Sequence, residues 1–175
     1  MRCSFVLTVA CVLGSAFAFG QISAATSPAP VTATCNFNDQ MQLAVQYQRL
    51  TLGKEGKDFL GHEAKYGQVW EPGEKALTLY TNTPLSIDGN SLAAGAYTLY
   101  LIPDRKDWTL IVSKNTDVGA KYDKSKDLVR ARMDVGQLPS PEPDFSVYLA
   151  HSSPKVCTMR VDVADTRAWV PFEQK

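Results

Sequence analysis

The two histidines of this chain are the first side chains to consider for catalysis or metal binding. His62 precedes Glu63 in a long polar segment, and His151 follows an apolar stretch near the C terminus. A metal site needs at least three ligands of the His, Cys or carboxylate type, and no spacing in the sequence supplies them. The Gly-x-Ser-x-Gly turn of many hydrolases is also absent. We therefore predict no catalytic residue, no metal and no cofactor. The alternative is a metal site that folding assembles from both histidines, with Glu63 or Asp144 as the third ligand.

Acidic side chains in the predicted loops are a second set of groups with chemical use. Paired carboxylates cleave glycosidic bonds, and the acids in question are Glu71, Glu74, Asp88, Asp104 and Asp107. Loop acids are ordinarily solvated, because Asp and Glu are rarely buried unless they are paired. We interpret all of them as surface residues and treat paired-acid catalysis as the less favoured alternative.

Aromatic side chains give the best indication of a binding site. Tyr66, Trp70, Tyr80 and Tyr100 lie in or beside the predicted central hairpins, where exposed rings stack on sugars or grip a peptide. Core packing is the stronger competing interpretation, because aromatic residues favour strands and fill protein interiors. A partly exposed sheet face is predicted by the alternation, which directs the side chains of Tyr80, Thr98 and Tyr100 to the same side. These four aromatic residues are therefore our candidate ligand-binding residues.

The segment 76–113 positions these rings, and it reads as consecutive strands joined by short turns. Apolar and polar side chains alternate along 77–80, 97–102 and 108–113. A period of two places successive side chains on opposite faces of a sheet. Similar alternation elsewhere predicts about nine or ten short strands and no long helix. The predicted fold class is all-β, an antiparallel β-sandwich or a flattened barrel.

Three segments interrupt the alternating pattern. Polar connections cover 50–74 and 114–126, and long loops inside a compact domain are commonly functional or mobile. Residues 138–143 contain three prolines, which predicts a stiff polyproline-like link. Before that link, charges alternate with apolar residues along 128–135, which favours a strand.

The N-terminal residues 1–25 differ in kind from the rest. Arg2 precedes an apolar run from Phe5 to Phe19, which is typical of a secretory signal peptide. Cleavage is expected after a small residue between Ala18 and Ala25. The run is shorter than the ~20 residues that span a bilayer, so we do not interpret it as a transmembrane anchor. No later segment resembles a membrane span, so we predict none after signal removal. Residues 26–32 then form a flexible leader to a single β domain at 33–175, located in the periplasm or secreted.

The charge balance of the exported chain argues against a nucleic-acid partner. Loss of Arg2 leaves 17 of the 18 basic residues against 18 acidic ones. Nucleic-acid binding depends on a basic surface that neutralises phosphates, and the sequence contains no such stripe. The predicted partner is an unknown small molecule, glycan or protein.

Cys35 and Cys157 are the cysteines that remain after the signal peptide is removed. An even pair in an oxidising compartment indicates one disulfide. In the chain-entropy treatment, closing a loop of roughly 120 residues raises the free energy of the unfolded chain by ~4 to 5 kcal/mol. Two buried free thiols are the alternative.

A set of motifs in fixed order resembles the bacterial exported family called domain of unknown function 2911. The motifs are Tyr-Gly-Gln-Val-Trp at 66–70, Ala-Gly-Ala-Tyr-Thr-Leu-Tyr at 94–100, Trp-Thr-Leu-Ile-Val-Ser-Lys at 108–114 and Thr-Arg-Ala-Trp-Val at 166–170. The resemblance implies a secreted or periplasmic all-β domain and no particular reaction. It also implies that Cys35 and Cys157 correspond to the cysteine pair of some members.

The segment 70–78 departs from the pattern of that family. Members commonly have Arg, Asn and Glu after the tryptophan, whereas this chain reads Trp-Glu-Pro-Gly-Glu-Lys-Ala-Leu-Thr. Chemistry that depends on those polar groups is therefore not expected here.

The sequence favours an exported, noncatalytic binding or structural module of the periplasm or cell envelope. One alternative is a hydrolase-type enzyme built from loops 54–75 and 114–127, in which His62, Glu63 or Lys57 would meet an acid in a concave pocket. Another alternative is a subunit that pairs an uncovered edge strand with a partner in an envelope complex.

Overall fold

A computed structural model describes residues 29–53, 58–73, 75–117 and 119–175 of the chain. The predicted signal peptide and residues 26–28 of the predicted leader lie outside this described part. The first strand begins at Val31, two residues before the predicted start of the domain.

Ten strands make up most of the described structure. They are β1 (Val31–Asn36), β2 (Gln42–Tyr47), β3 (Leu50–Thr51), β4 (Leu77–Thr81), β5 (Leu85–Ile87), β6 (Asn90–Leu92), β7 (Gly95–Ile102), β8 (Asp107–Ser113), β9 (Asp127–Ser153) and β10 (Val156–Gln174). The helical segments are one turn at Phe59–His62, which we call α1, and a 3₁₀ turn at Lys124–Lys126.

The strands form one antiparallel sheet in the order β1-β2-β4-β7-β8-β9-β10-β5-β6, with β3 paired to β9. This arrangement confirms the predicted all-β sandwich class, and the sheet is not closed into a barrel. The predicted turn at Asp88 and Gly89 joins β5 to β6. Both residues have positive φ, 48° and 74°, which suits a two-residue hairpin turn.

The last two strands form a long, bent hairpin where the sequence predicted several short strands. The strand predicted at 128–135 is present, but the proline-rich residues 138–143 belong to β9 instead of forming a separate link. Pairing with β10 shifts register between Asp162 and Thr166, beside these prolines. Proline donates no backbone N–H, so sheets accept it only at edges or irregularities such as this one.

A buried carboxylate lies at the bend of this hairpin. Asp162 is only 1% exposed, and Arg167 donates to both of its oxygens, from Nε at 2.9 Å and from Nη2 at 3.0 Å. Paired charge-assisted bonds of this kind are among the stronger polar contacts in proteins. They therefore compensate the burial of Asp162 where the ladder between the two strands is irregular.

The core lies between the layers of the folded sheet and uses the predicted alternation. Leu77 and Leu79 of β4 are fully buried, as are Leu99 and Leu101 of β7 and Trp108 of β8. Intervening residues of β4 point to the opposite face and are partly or largely exposed. Among the described residues, no helix is long and apolar enough to cross a bilayer.

The predicted disulfide between Cys35 and Cys157 is confirmed in the structure. The bond joins β1 to β10, with Cα atoms 6.2 Å apart and a sequence separation of 122 residues. It ties the first strand of the sheet to the far end of the bent hairpin, so the alternative of two free thiols is wrong.

Candidate functional site

A cavity of about 500 Å³ lies on the outer face of β2, β4 and β7. Its floor contains a row of polar side chains, Gln46, Thr78 and Thr98, which are direct cross-strand neighbours. The row exists because these positions have the opposite phase to the buried leucines of the same strands. The volume falls within the range of about 300 to 1,000 Å³ that is usual for small-molecule sites.

The described residues of the segment 114–122, which are 114–117 and 119–122, cover one side of this sheet face and form a wall of the cavity. The Thr98 hydroxyl donates to the Asn115 carbonyl oxygen at 2.5 Å, and the Asn115 N–H donates to the Ser113 hydroxyl at 3.2 Å. The Lys114 N–H also bonds the Lys126 carbonyl at 3.0 Å. Hydroxyl groups on the outer sheet face therefore hold the segment in place.

Tyr100 is buried although it belongs to the outer face of β7. It is 1% exposed, because the Tyr122 ring packs against it edge to face with centroids 5.0 Å apart. The Tyr100 hydroxyl makes no hydrogen bond with any other described residue, and the side chain lines the cavity. Burial, and then the negative charges of Glu71 and Asp127, raise the pKa of Tyr100. The hydroxyl therefore stays protonated and has a proton to donate.

Glu71 supplies a carboxyl group to the same cavity. The residue is half-buried, and it has no ion pair or hydrogen bond with another described residue. Burial raises the pKa of Glu71, because low-dielectric surroundings disfavour the charged form. Glu71 is therefore less solvated than the ordinary surface acid that the sequence predicted.

A polar cluster beside the cavity fixes the position of the Tyr122 ring. The Asp127 Oδ2 atom accepts from the Tyr122 hydroxyl at 2.7 Å and from Arg130 Nη1 at 2.7 Å. Arg130 Nη1 also donates to the Tyr122 hydroxyl at 3.0 Å. Because three groups bond one another, the ring that covers Tyr100 has a defined orientation.

The four predicted aromatic residues are not brought together. Tyr80 and Tyr100 line the cavity, and Tyr80 is 45% exposed. Tyr66 lies elsewhere, with Arg105 5.5 Å from its ring centroid and its edge against Gly61. The ligand-binding role of Tyr80 and Tyr100 stays a prediction, and the cavity that both residues line is the place where a ligand would bind.

Trp70 is partly buried and packs against the hydrophobic core, away from the cavity. Its ring centroid lies 5.5 Å from Phe145, 5.6 Å from Phe59 and 6.4 Å from Trp108, each in an edge contact. Its backbone pairs with Leu101 through bonds of 2.7 and 3.1 Å. We call Trp70, Phe59, Trp108 and Phe145 the aromatic cluster.

The residues considered for catalysis are also separated. His62 and Glu63 line a second hollow with Asp58, whereas His151 is an exposed residue near the end of β9. Lys57 and Glu74 lie outside the described residues. Within the described ranges, no three His, Cys, Asp or Glu side chains are grouped so that they could hold a metal ion.

Other predicted loop acids lie at exposed turns. Asp88 accepts from the Arg132 N–H at 3.0 Å, and Asp104 accepts from the Arg105 N–H at 2.6 Å. Asp107 forms an exposed ion pair with Arg132 at 3.3 Å. Their interpretation as surface residues agrees with this placement.

Gln46 and Tyr122 are site residues that sequence reasoning missed. Gln46 has the outward phase of β2, between the buried Val45 and Tyr47, and this phase was a usable signal. Tyr122 lies in a polar segment without periodicity, and nothing local indicates that it folds back onto β7.

Comparison with known proteins identifies a family for this chain and no function. No curated protein and no solved structure matches it. The family model described as "Protein of unknown function (DUF2911)" matches residues 27–172, which include β1 to β9 and most of β10. This protein belongs to the DUF2911 family, as the resemblance of its sequence motifs predicted.

Proposed function

We propose that this protein is an exported, noncatalytic binding domain of the periplasm or cell envelope, and that its cavity over β2, β4 and β7 holds a small polar molecule. The observation that carries the proposal is that two polar groups without a hydrogen-bond partner among the described residues, the Tyr100 hydroxyl and the Glu71 carboxyl, line one concave site. Polar groups that line a cavity without a protein partner can orient a bound molecule, so these two groups suit a ligand.

The lining of the cavity favours binding over catalysis. Its described acids are Glu71 and Asp117, and both histidines lie elsewhere. The hydrolase alternative requires loops 54–75 and 114–127, and described residues of both, such as Glu71 and Asp117, do line the walls. That alternative also needs His62, Glu63 or Lys57 to meet an acid in this cavity. His62 and Glu63 do not line the cavity, and Lys57 lies outside the described residues.

Filling the cavity should abolish ligand binding. In Ala96→Trp, an exposed alanine of β7 that lines the cavity is replaced by a large ring. Saturation-transfer NMR with a mixture of maltose, N,N′-diacetylchitobiose, alanylalanine and putrescine should show transfer to at least one compound for the wild type and none for this variant. Ala150→Trp, at an exposed position of β9 outside the cavity, is the matched control and should bind normally.

Two results would contradict the proposed site. One is the absence of transfer to any compound in the mixture. The other is unchanged binding by Ala96→Trp while its thermal unfolding resembles that of the control.

The export part of the proposal rests on residues 1–25 and on the disulfide, since such bonds persist mainly in oxidising compartments. We expect the full chain, expressed in a Gram-negative bacterium, to be recovered from the periplasm with an N terminus between Phe19 and Thr26. N-terminal sequencing of the fractionated protein measures this. A version that starts at Thr26 after an added Met should stay in the cytoplasm. Cytoplasmic full-length protein with an uncleaved N terminus would refute export.

A further inference from the structure

The hydrogen-bonding groups of the cavity require a ligand that both donates and accepts. The Tyr100 hydroxyl is a donor without an acceptor, and the Glu71 carboxyl is an acceptor without a donor among the described residues. The Gln46 amide on the floor offers both functions. A ligand hydroxyl accepts one hydrogen bond and donates another, so a molecule with several hydroxyl groups satisfies this set. An ammonium group only donates and would leave the proton of Tyr100 without an acceptor.

An aromatic ring stands clear of its neighbours at the opening of the same cavity. Tyr80 is 45% exposed, and its direct cross-strand neighbours are Ala44 on β2 and Ala96 on β7. Because both neighbours end at Cβ, neither of them covers the ring. Its negative face can receive the weakly positive C–H groups of a pyranose, while the hydroxyl edges of the sugar reach the polar floor.

The charge distribution disfavours an anionic ligand. Glu71 lines the cavity with Tyr100, and after burial its negative charge is the next cause of the raised pKa of Tyr100. An anionic ligand bound at the Tyr100 hydroxyl would therefore meet a charge of the same sign. The basic residues of the lining, Lys75 and Lys121, are exposed. Water screens exposed charges strongly, so they offset the acids only in part.

We infer that the cavity binds a neutral saccharide of one or two rings, which stacks on Tyr80 and bonds the Tyr100 hydroxyl and the Glu71 carboxyl. This inference rests on the proposed binding function and names its ligand class. The volume of about 500 Å³ leaves room for a molecule of this size.

Isothermal titration calorimetry with maltose, N,N′-diacetylchitobiose and digalacturonate tests the inference. At least one neutral disaccharide should bind at least tenfold more tightly than digalacturonate. Tyr80→Ala should weaken that binding at least tenfold, and Tyr100→Phe about fivefold, since the phenyl ring keeps its packing while one hydrogen bond is lost. Tyr66→Ala, at an exposed tyrosine outside the cavity, is the control and should bind like the wild type.

Glu71→Gln separates charge from shape. The amide keeps the size of the side chain and removes its charge, so the preference for the neutral disaccharide over digalacturonate should fall below threefold. An unchanged preference would overturn the role of Glu71.

The remaining outcomes distinguish this inference from the proposed function. If alanylalanine or putrescine binds, and Ala96→Trp abolishes that binding while neither neutral disaccharide binds, the saccharide inference fails and the proposed function stands. If no probe binds, or if Ala96→Trp has no effect, both fail.

Discussion

Replacing both cysteines of the disulfide by alanine, Cys35→Ala with Cys157→Ala, should lower the free energy of unfolding by about 5 kcal/mol. The bond closes a loop with a sequence separation of 122 residues, so in the chain-entropy treatment its loss frees a large unfolded ensemble. For a domain of this size the melting temperature should fall by about 10 to 20 °C. Urea unfolding of the mature protein, followed by tryptophan fluorescence, measures the change.

A reductant provides the control for the cysteine experiment. Wild-type protein unfolded and refolded with excess reductant should approach the stability of the double alanine variant, whereas the variant itself should not respond. A loss below about 1 kcal/mol would show that the bond constrains the unfolded chain far less than its loop length implies.

Trp70→Ala should lower the free energy of unfolding by about 2 to 4 kcal/mol, somewhat less than the usual cost of about 3 to 5 kcal/mol for a fully buried aromatic side chain, because the Trp70 ring is only partly buried. Trp70 contacts the other three rings of the aromatic cluster, and these contacts connect α1 with β8 and β9. Truncation leaves a void that the fixed strands cannot fill. Equilibrium urea denaturation is again the measurement.

Tyr80→Ala is the matched control for the Trp70 substitution. Tyr80 was an equal candidate for ligand binding, but it is 45% exposed, and its truncation should change stability by less than about 1 kcal/mol. Similar small losses for both variants would contradict the placement of Trp70 in the aromatic cluster and return it to the candidate ligand-binding residues.

The proposed site combines an open sheet face with a covering segment. Strand alternation alone would leave the face of Thr78, Thr98 and Tyr100 flat and solvated. Residues 114–117 and 119–122 turn this face into a cavity, because the backbone of Asn115 bonds an outer hydroxyl group and the Tyr122 ring covers Tyr100. The polar groups around Tyr100 are thereby partly removed from water, and their interactions with a ligand become stronger.

The sequence by itself determined the features that depend on neighbouring residues. Alternation set the strands of 77–80, 97–102 and 108–113 and the side of the sheet that each residue faces. It also placed Tyr80, Thr98 and Tyr100 on a common face. The spacing of motifs identified the family, and the number of cysteines left after the predicted signal peptide indicated the disulfide.

Only the tertiary structure decided which of these residues meet. Trp70 and Tyr80 are both aromatic and both lie near the central hairpins, yet one packs among core rings and the other lines a cavity. The burial of Glu71 and Tyr100 likewise depends on segments that lie far along the chain, and so does the bend of β9 at its prolines. Local periodicity reports the direction of a side chain, but its environment depends on distant parts of the chain, which no local pattern encodes.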